Sequence, residues 1–478
     1  MRLGELVDAT LSPAEAAIEI TGLAFDHRIA GPGTLFFCVP GFTRDGHDFA
    51  ADAVARGAAA LVVERTVAGL AVPQVRVASA RAAMAPVAAR LHGDPTARLK
   101  VVGVTGTNGK TTSCFLIREL LAAGGVPTAL LGTVKSVIGG QEAPLARTTP
   151  EAIELQRAFA AMVAAGDRAC AMEVSSHALE LHRADAIHWA AALFTNLTQD
   201  HLDFHPTMDA YFAAKRRLFE AEPAVAVVNV DDAYGRRLAD ELDVTTVAVD
   251  RDADLRAVDV RGGLHGSTFA IVARDGARLE ARTPLPGRFN VANVLGAVAV
   301  ARALGVDDET IAAALPRAGR VPGRFEPVAE GQGFAVLVDY AHTPDSLENV
   351  LRAARELAPR RVLVTVGAGG DRARGKRPRR GEIAARLADE VIVTSDNPRS
   401  EDPEAIVAQV VAGAGRPVAV EIDRAQAIAR AVAAADDGDV VVIAGKGHEQ
   451  GQEFEGGRTI PFDDVTVARE ALRARLVA

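Results

Sequence analysis

The segment Gly106-Thr107-Asn108-Gly109-Lys110-Thr111-Thr112 sets two glycines, a lysine and hydroxyls at a spacing suited to a polyphosphate. Glycines let backbone N–H groups converge on phosphate oxygens, a following helix N-terminus favours the anion, Lys110 neutralises charge, and Thr111 offers a hydroxyl to Mg²⁺. An apolar run at 101–104 precedes the segment and 113–121 has a helical pattern, so this chemistry rests on a strand, a glycine turn and a helix. We read it as an ATP site. The spacing is shorter than a full Walker motif, since Val104 stands five residues before Gly109 and the G-x-x-G-K-T run begins at Gly106. A structural strand-turn-helix joint is the alternative.

Three further residues carry possible chemistry. Glu173 ends the strand pattern 170–174, and a carboxylate at a strand's C-terminal end is where a phosphate-bound Mg²⁺ is met; the alternative is a strand-end glutamate facing solvent. His201 belongs to His201-Leu202-Asp203-Phe204-His205, a pattern that by itself favours locally hydrogen-bonded loop histidines over a metal site. Lys215 shares a helical face with Tyr211, Phe212, Leu218 and Phe219, so its ammonium must be paired, neutralised or modified, or else snorkel to water.

The elements around these residues repeat one theme. Short apolar strands alternate with Ala-rich helical stretches such as 47–56 and 81–91, and Gly93-Asp94-Pro95 breaks the chain before the phosphate-loop strand. Strand patterns at 170–174, 192–195 and 225–230 alternate with helices, as in a mainly parallel sheet covered on both faces. A second break comes at Arg320-Val321-Pro322-Gly323, after which strands at 335–338, 361–366, 391–394 and 440–444 alternate with helices again. The expectation is an α/β chain of three domains, at 1–98, 99–322 and 323–478.

Charge and composition narrow the function. With 53 Lys and Arg against 62 Asp and Glu, a net charge of −9 and no long like-charge block, the chain shows no nucleic-acid footprint and no basic membrane anchor. Cys38, Cys114 and Cys170 are far apart in apolar runs, which fits buried free thiols in a reducing compartment. The 1–8 segment lacks a signal-peptide core and no apolar run reaches membrane-spanning length, so the expected setting is the cytoplasm, without membrane insertion.

With Gly106 to Thr112, Glu173-Val174-Ser175-Ser176-His177, Asn196 through His201, Ala214-Lys215, Gly287 through Asn293, Gly323-Arg324-Phe325-Glu326 and Asp339-Tyr340-Ala341-His342, the chain resembles the Mur ligases from end to end. The resemblance implies a three-domain Mur ligase architecture, with a central P-loop ATPase-like parallel sheet and a Rossmann-like C-terminal domain. It implies a carbamylated Lys215 which, with His201, helps hold a second Mg²⁺, and it places Asn290, Asn293, Arg324, Asp339 and His342 around ATP. It further implies that Thr148, Thr149, Ser175 and Arg183 contact a muramoyl dipeptide, together with Lys215, and that His27, Thr43 and Arg44 serve the UDP end. Two positions depart from the family pattern: Leu181 replaces a common Gln two residues before Arg183, and His27 stands where Asp-Ser-Arg is usual.

Within the family the chain is similar to the type that adds meso-diaminopimelate to UDP-N-acetylmuramoyl-L-alanyl-D-glutamate, and a monomer is expected. The loops at 369–377, 396–399 and 445–450 each follow a strand pattern, so all three open on one sheet edge. There Arg372 and Arg399 offer planar donors to a carboxylate, while Asp396 and Glu449 accept from an ammonium. Asn397, Pro398 and Gly445 complete the set, with Asp-Asn-Pro-Arg matching the motif of the diaminopimelate-adding type. Lysine would leave Arg399 without an anion. The rivals are a lysine-adding ligase or a folylpolyglutamate synthetase and, from another class, a nucleotide switch with no amino-acid cleft.

Overall fold

The strand Lys100–Thr105 is buried at every position after Lys100, the pattern of a strand covered on both faces. The computed structural model describes every residue except Ala146, Pro359, Ala373 and Ala478, so Ala373 of the 369–377 loop lies outside the described residues. Two compact units carry the fold: Met1–Thr105 with Gly125–Leu193 and Asp209–Ala226, and Gly106–Gly124 with Phe194–Met208 and Val227–Ala478.

The first unit begins with a parallel sheet in the order Gly22–Ala24, Thr34–Phe37, Ala58–Val63, Gln74–Arg76. Side chains alternate across it: Leu35, Phe37, Ala60 and Val62 pack with Met84 and Ala88 of the helix Ala80–Leu91, while Phe36, Cys38, Leu61 and Val63 form a second core. The helix expected over 47–56 is split into a tight turn at Gly46–Phe49 and the helix Ala50–Ala55. The cause is Asp45, whose carboxylate accepts from the His47 N–H at 2.9 Å and starts the turn. Further on, Ala169–Glu173 pairs in parallel with both Lys100–Thr105 and Thr128–Leu131, and Ser136–Ile138 with Gln141–Ala143 extends the sheet antiparallel.

In the second unit the helix Lys110–Ala123 packs on Arg288–Ala303. Ala226–Asn229, Thr245–Ala248 and Leu255–Gly263 run parallel, but Gly266–Ala273 and Arg278–Thr283 then fold back antiparallel. The alternation of strands and helices expected across this region therefore ends in a meander. In it Arg278–Thr283 is exposed and buried at alternate residues. A six-stranded sheet follows, in the order Glu326–Pro327, Ala335–Asp339, Val440–Ala444, Val362–Val366, Glu390–Val393, Ala419–Val420, with only the first strand antiparallel. Apolar cores lie on both of its faces. Because its other strands are parallel, the loops after residues 339, 366, 393 and 444 leave from one edge.

Cys38, Cys114 and Cys170 are free and buried. Among the described residues no helix is long and apolar enough to cross a membrane.

Candidate active site

Two glycines shape the phosphate loop. Gly106 has φ 148° and Gly109 φ 86°, and a Cβ would run into Thr195 Oγ1 at the first and Asn293 Oδ1 at the second, so the turn and its close approach both require glycine. Lys110 Nζ donates to the carbonyls of Gly106 at 2.9 Å and Thr107 at 2.8 Å. Thr107 and Thr198 bond reciprocally, Thr198 N–H giving to Thr107 Oγ1 at 3.0 Å and Thr107 Oγ1 to the Thr198 carbonyl at 3.2 Å. Asn108 donates to the Asp345 carboxylate at 2.7 Å.

The residues expected around the nucleotide, Asn290, Asn293, Arg324, Asp339 and His342, all fall within the same unit as 106–112. Arg324 donates to Thr111 Oγ1 at 3.4 Å and lies over the Tyr340 ring at 4.2 Å. Asp339 accepts from Phe325 N–H at 2.7 Å, and burial pushes its carboxyl up to about 6 against the pull of Arg324. Asn293 donates to Asn290 Oδ1 at 3.1 Å, and Asn290 to the Pro286 carbonyl at 2.8 Å. The His342 and Tyr340 rings are 4.6 Å apart. Arg380, which sequence reasoning missed, donates to the carbonyls of Ala341 at 3.0 Å and His342 at 2.9 Å. Burial lowers its guanidinium to about 10. His201 adopts φ 52°, its ring 3.5 Å from Asp200, which also pairs with Lys376 at 2.5 Å. Burial pushes the Asp200 carboxyl up, yet the charges of His201 and Lys376 outweigh it and hold it well below the usual range.

The first unit gathers another part of the expected site. Glu173 is only 1% exposed and accepts from Thr133 N–H at 2.7 Å and Thr133 Oγ1 at 3.1 Å, so it does not face solvent. Thr148 Oγ1 lies 3.0 Å from Thr133 Oγ1. Thr149 Oγ1 donates to the Glu173 carbonyl at 2.9 Å and accepts from Ser175 N–H at 3.1 Å. Arg183 pairs with Glu151 at 2.9 Å, as does Arg81 at 3.2 Å. Glu151 is a buried hub that sequence reasoning did not pick out, although it directly follows Thr148-Thr149-Pro150. Lys215 is 1% exposed, its ammonium 4.7 Å from the centre of the Tyr211 ring. It does not snorkel. Of the residues expected at the UDP end, His27 stacks face to face on Phe49 with ring centroids 4.7 Å apart, and Thr43 and Arg44 are exposed in the loop closed by Gly41 N–H to the Arg44 carbonyl at 2.8 Å.

The sheet-edge loops of the second unit meet in one polar network. Asn397 donates to Glu449 at 2.8 Å and accepts from Lys446 Nζ at 2.8 Å, while Lys446 also pairs with Glu449 at 3.0 Å. Lys446 is fully buried; it lay inside the Gly445–Glu449 stretch but gave no separate signal. Arg399, at φ 53°, donates through Nε to Glu453 at 2.7 Å and through Nη1 to the Gly370 carbonyl at 2.9 Å. Arg372 is exposed and reaches the Asp371 carbonyl at 3.3 Å. The loop expected over 369–377 ends earlier, in the helix Lys376–Leu387; from its first turn buried Arg377 forks onto Glu401 at 2.7 and 2.9 Å and donates to the Gly369 carbonyl at 3.2 Å. Asp396 and Pro398 are buried, and a Cβ on Gly445 would meet the Asp396 carboxylate.

For cations, no group of three or more His, Cys, Asp or Glu is poised as a cage among the described residues. Two expected ligands are single hard oxygen donors of the kind Mg²⁺ takes: in the first unit the buried Glu173 carboxylate, and in the second the Thr111 hydroxyl at its helix N-terminus.

Residues 19–93 match the description "Mur ligase family, catalytic domain", 104–301 "Mur ligase middle domain", and 323–447 "Mur ligase, glutamate ligase domain". The chain is 47% identical over 470 residues to the UDP-N-acetylmuramoyl-L-alanyl-D-glutamate--2,6-diaminopimelate ligase of Geobacillus kaustophilus, covering 96% of each. It is 44% identical to the protein of that name from Streptomyces coelicolor, over 98% of this chain and 96% of the relative. Among solved structures, a UDP-N-acetylmuramoyl-L-alanyl-D-glutamate--2,6-diaminopimelate ligase superposes with a TM-score of 0.73 at 33% identity, over 100% of this chain and 99% of the other. A MurF ligase of Thermotoga maritima in complex with ADP shares the fold, with a TM-score of 0.62 at 20% identity over 96% and 98%.

Proposed function

The chain belongs to the Mur ligase family, and on that premise we propose that it is the ATP-dependent ligase that joins meso-diaminopimelate to UDP-N-acetylmuramoyl-L-alanyl-D-glutamate in peptidoglycan precursor synthesis. The observation that carries this reading is the network at the sheet edge, where Asn397, Lys446 and Glu449 lock together beside Arg399. It offers acceptors for an ammonium and a guanidinium for a second carboxylate on one rim.

The reaction follows from the parts. The phosphate loop and Lys110 bind and orient the triphosphate, and the D-glutamyl carboxylate attacks its γ-phosphorus to give an acyl phosphate and ADP. The diaminopimelate amine then attacks the acyl carbon, forming the amide and releasing phosphate. Mg²⁺, held with Thr111 and Glu173, would neutralise phosphate charge when bound. A carbamate on Lys215 would turn a buried cation into an anionic oxygen donor, which fits the burial of that side chain; with His201 it is the proposed holder of a second Mg²⁺. Thr148, Thr149, Ser175, Arg183 and Lys215 contact the muramoyl dipeptide, and His27, Thr43 and Arg44 take the UDP end. Asn290, Asn293, Arg324, Asp339 and His342 surround the nucleotide. Arg372, Asp396, Asn397, Pro398, Arg399, Gly445 and Glu449 form the amino-acid cleft. The proposed domains are 1–98, 99–322 and 323–478.

The test is phosphate release with ATP, Mg²⁺ and the UDP-muramoyl dipeptide, offering meso-diaminopimelate or L-lysine in parallel, with the product mass confirmed. Turnover with diaminopimelate alone is expected. Turnover with lysine alone would refute the reading of Arg399, and phosphate release indifferent to both amines with no amide formed would sink the ligase.

A further inference from the structure

We propose that Asp345 is a positioning residue through which the 323–478 segment holds the phosphate loop in its ATP-binding shape. This rests on the reading of 106–112 as the ATP site.

Asp345 sits in the first turn of the helix Pro344–Leu357, whose start is fixed by Thr343 as N-cap and proline at the first position. One of its oxygens, Oδ2, accepts three hydrogen bonds: from Asn108 Nδ2 at 2.7 Å, Thr198 Oγ1 at 2.9 Å and Asn349 Nδ2 at 3.2 Å. The first two donors lie 237 and 147 residues away in sequence, on the two loops that make the phosphate turn. Those loops are also tied to each other. The Asn108 backbone N–H donates to Asn196 Oδ1 at 3.0 Å, and its carbonyl accepts from Thr195 Oγ1 at 2.6 Å. A second carboxylate steadies the far side, Asp232 accepting from Leu197 N–H at 3.1 Å.

A carboxylate this close to a polyphosphate loop is electrostatically unhelpful to ATP unless it does something else, because like charges repel. Its position explains it. Lys110 and the backbone N–H groups supply the attraction to phosphate, whereas Asp345 faces the side chains that set the loop's shape. The Asn108 backbone is clamped by Asn196 and Thr195, and its side-chain amide is held by Asp345, so the residue is fixed at both ends. Pre-set donors bind an anion without reorganising at the moment of reaction. The consequence is a coupling: an element of the segment that carries the amino-acid cleft also sets the ATP loop, with no shared ligand required.

The test is a titration of the full-length chain with ATP in the absence of other substrates, followed by steady-state kinetics. Asp345→Ala should weaken ATP binding about tenfold, the scale of losing hydrogen bonds to a charged group, and should raise the KM for ATP while leaving the KM for the amine within about twofold. Asp345→Asn keeps an oxygen acceptor and should recover most of the loss. Asn108→Ala should lose a similar amount, and Asp345→Ala combined with Asn108→Ala should lose no more than about twofold beyond the worse single variant, because one acts through the other. Additive losses, unchanged ATP affinity, or an equal rise in the KM for the amine would overturn the proposal. If the parent chain itself bound no ATP, the reading of the loop would fall as well; unchanged variants of an ATP-binding parent would remove the inference alone.

Discussion

The proposed phosphate loop and the proposed amino-acid cleft hold their candidate cations in opposite ways. Lys110 turns back onto carbonyls three and four residues away, so its restraint is local and written into one short motif. Arg399 is held by Glu453, 54 residues on, and by the Gly370 carbonyl, 29 residues back, so its restraint exists only once three loops have met. A local anchor suits a ligand part common to many enzymes, the triphosphate. A long-range anchor suits the part that differs between substrates, because each loop can change without disturbing the strands beneath.

That contrast can be broken most sharply at Lys110. Lys110→Ala should lower kcat by about a thousandfold or more, since the charge acts on developing phosphate charge, while thermal melting stays near that of the parent; near-normal phosphate release would show that the loop does not serve as its motif says. Arg399→Ala should raise the KM for diaminopimelate about a hundredfold and erase the preference over lysine, the scale expected when a site built to bind a substrate group loses its partner. Competition assays with both amines read this directly.

Asp339 sharpens the comparison through pH. Its folded carboxyl sits at about 6, above the ordinary 3.8, so folding favours the protonated form. Its contribution to stability is therefore fully present below about pH 3.8 and is lost as pH rises through about 6, on the order of 3 kcal/mol. Asp339→Asn mimics the neutral form, so denaturation midpoints of parent and variant should diverge between about pH 4 and pH 7, the parent losing ground. Parallel curves would show that the burial of Asp339 is relieved in solution. The smallest effect is expected at Glu453, half exposed beside Arg399. Glu453→Gln should change the KM for diaminopimelate only about threefold, within the modest worth of a solvent-screened pair; a change as large as that of Arg399→Ala would make Glu453 the main restraint of the cleft.

Legibility followed the same division. The strand, glycine turn and helix around 106–112 could be read because glycine is needed where φ is positive, and the burial of Lys215 followed from its place on a helical stripe. Residues such as Glu151, Lys446 and Arg380 were not found, because a buried charge looks in sequence like any surface charge until its partners arrive from elsewhere. The antiparallel meander ending at Thr283 was missed for another reason: its period-two signal is weak beside the Ala-rich helical patterns around it.

Sequence by itself determined the α/β alternation, the glycine turn between the strand Lys100–Thr105 and the helix Lys110–Ala123, and the three loops on one edge of the last sheet. Each follows from periodicity, from glycine's freedom, or from the rule that parallel strands share a carboxyl edge. Tertiary structure alone decided which charges face one another: Arg183 and Arg81 on Glu151, Lys446 between Asn397 and Glu449, Asp345 beneath Asn108. Such pairings depend on distances of about 3 Å between groups far apart in the chain, and no local propensity encodes them.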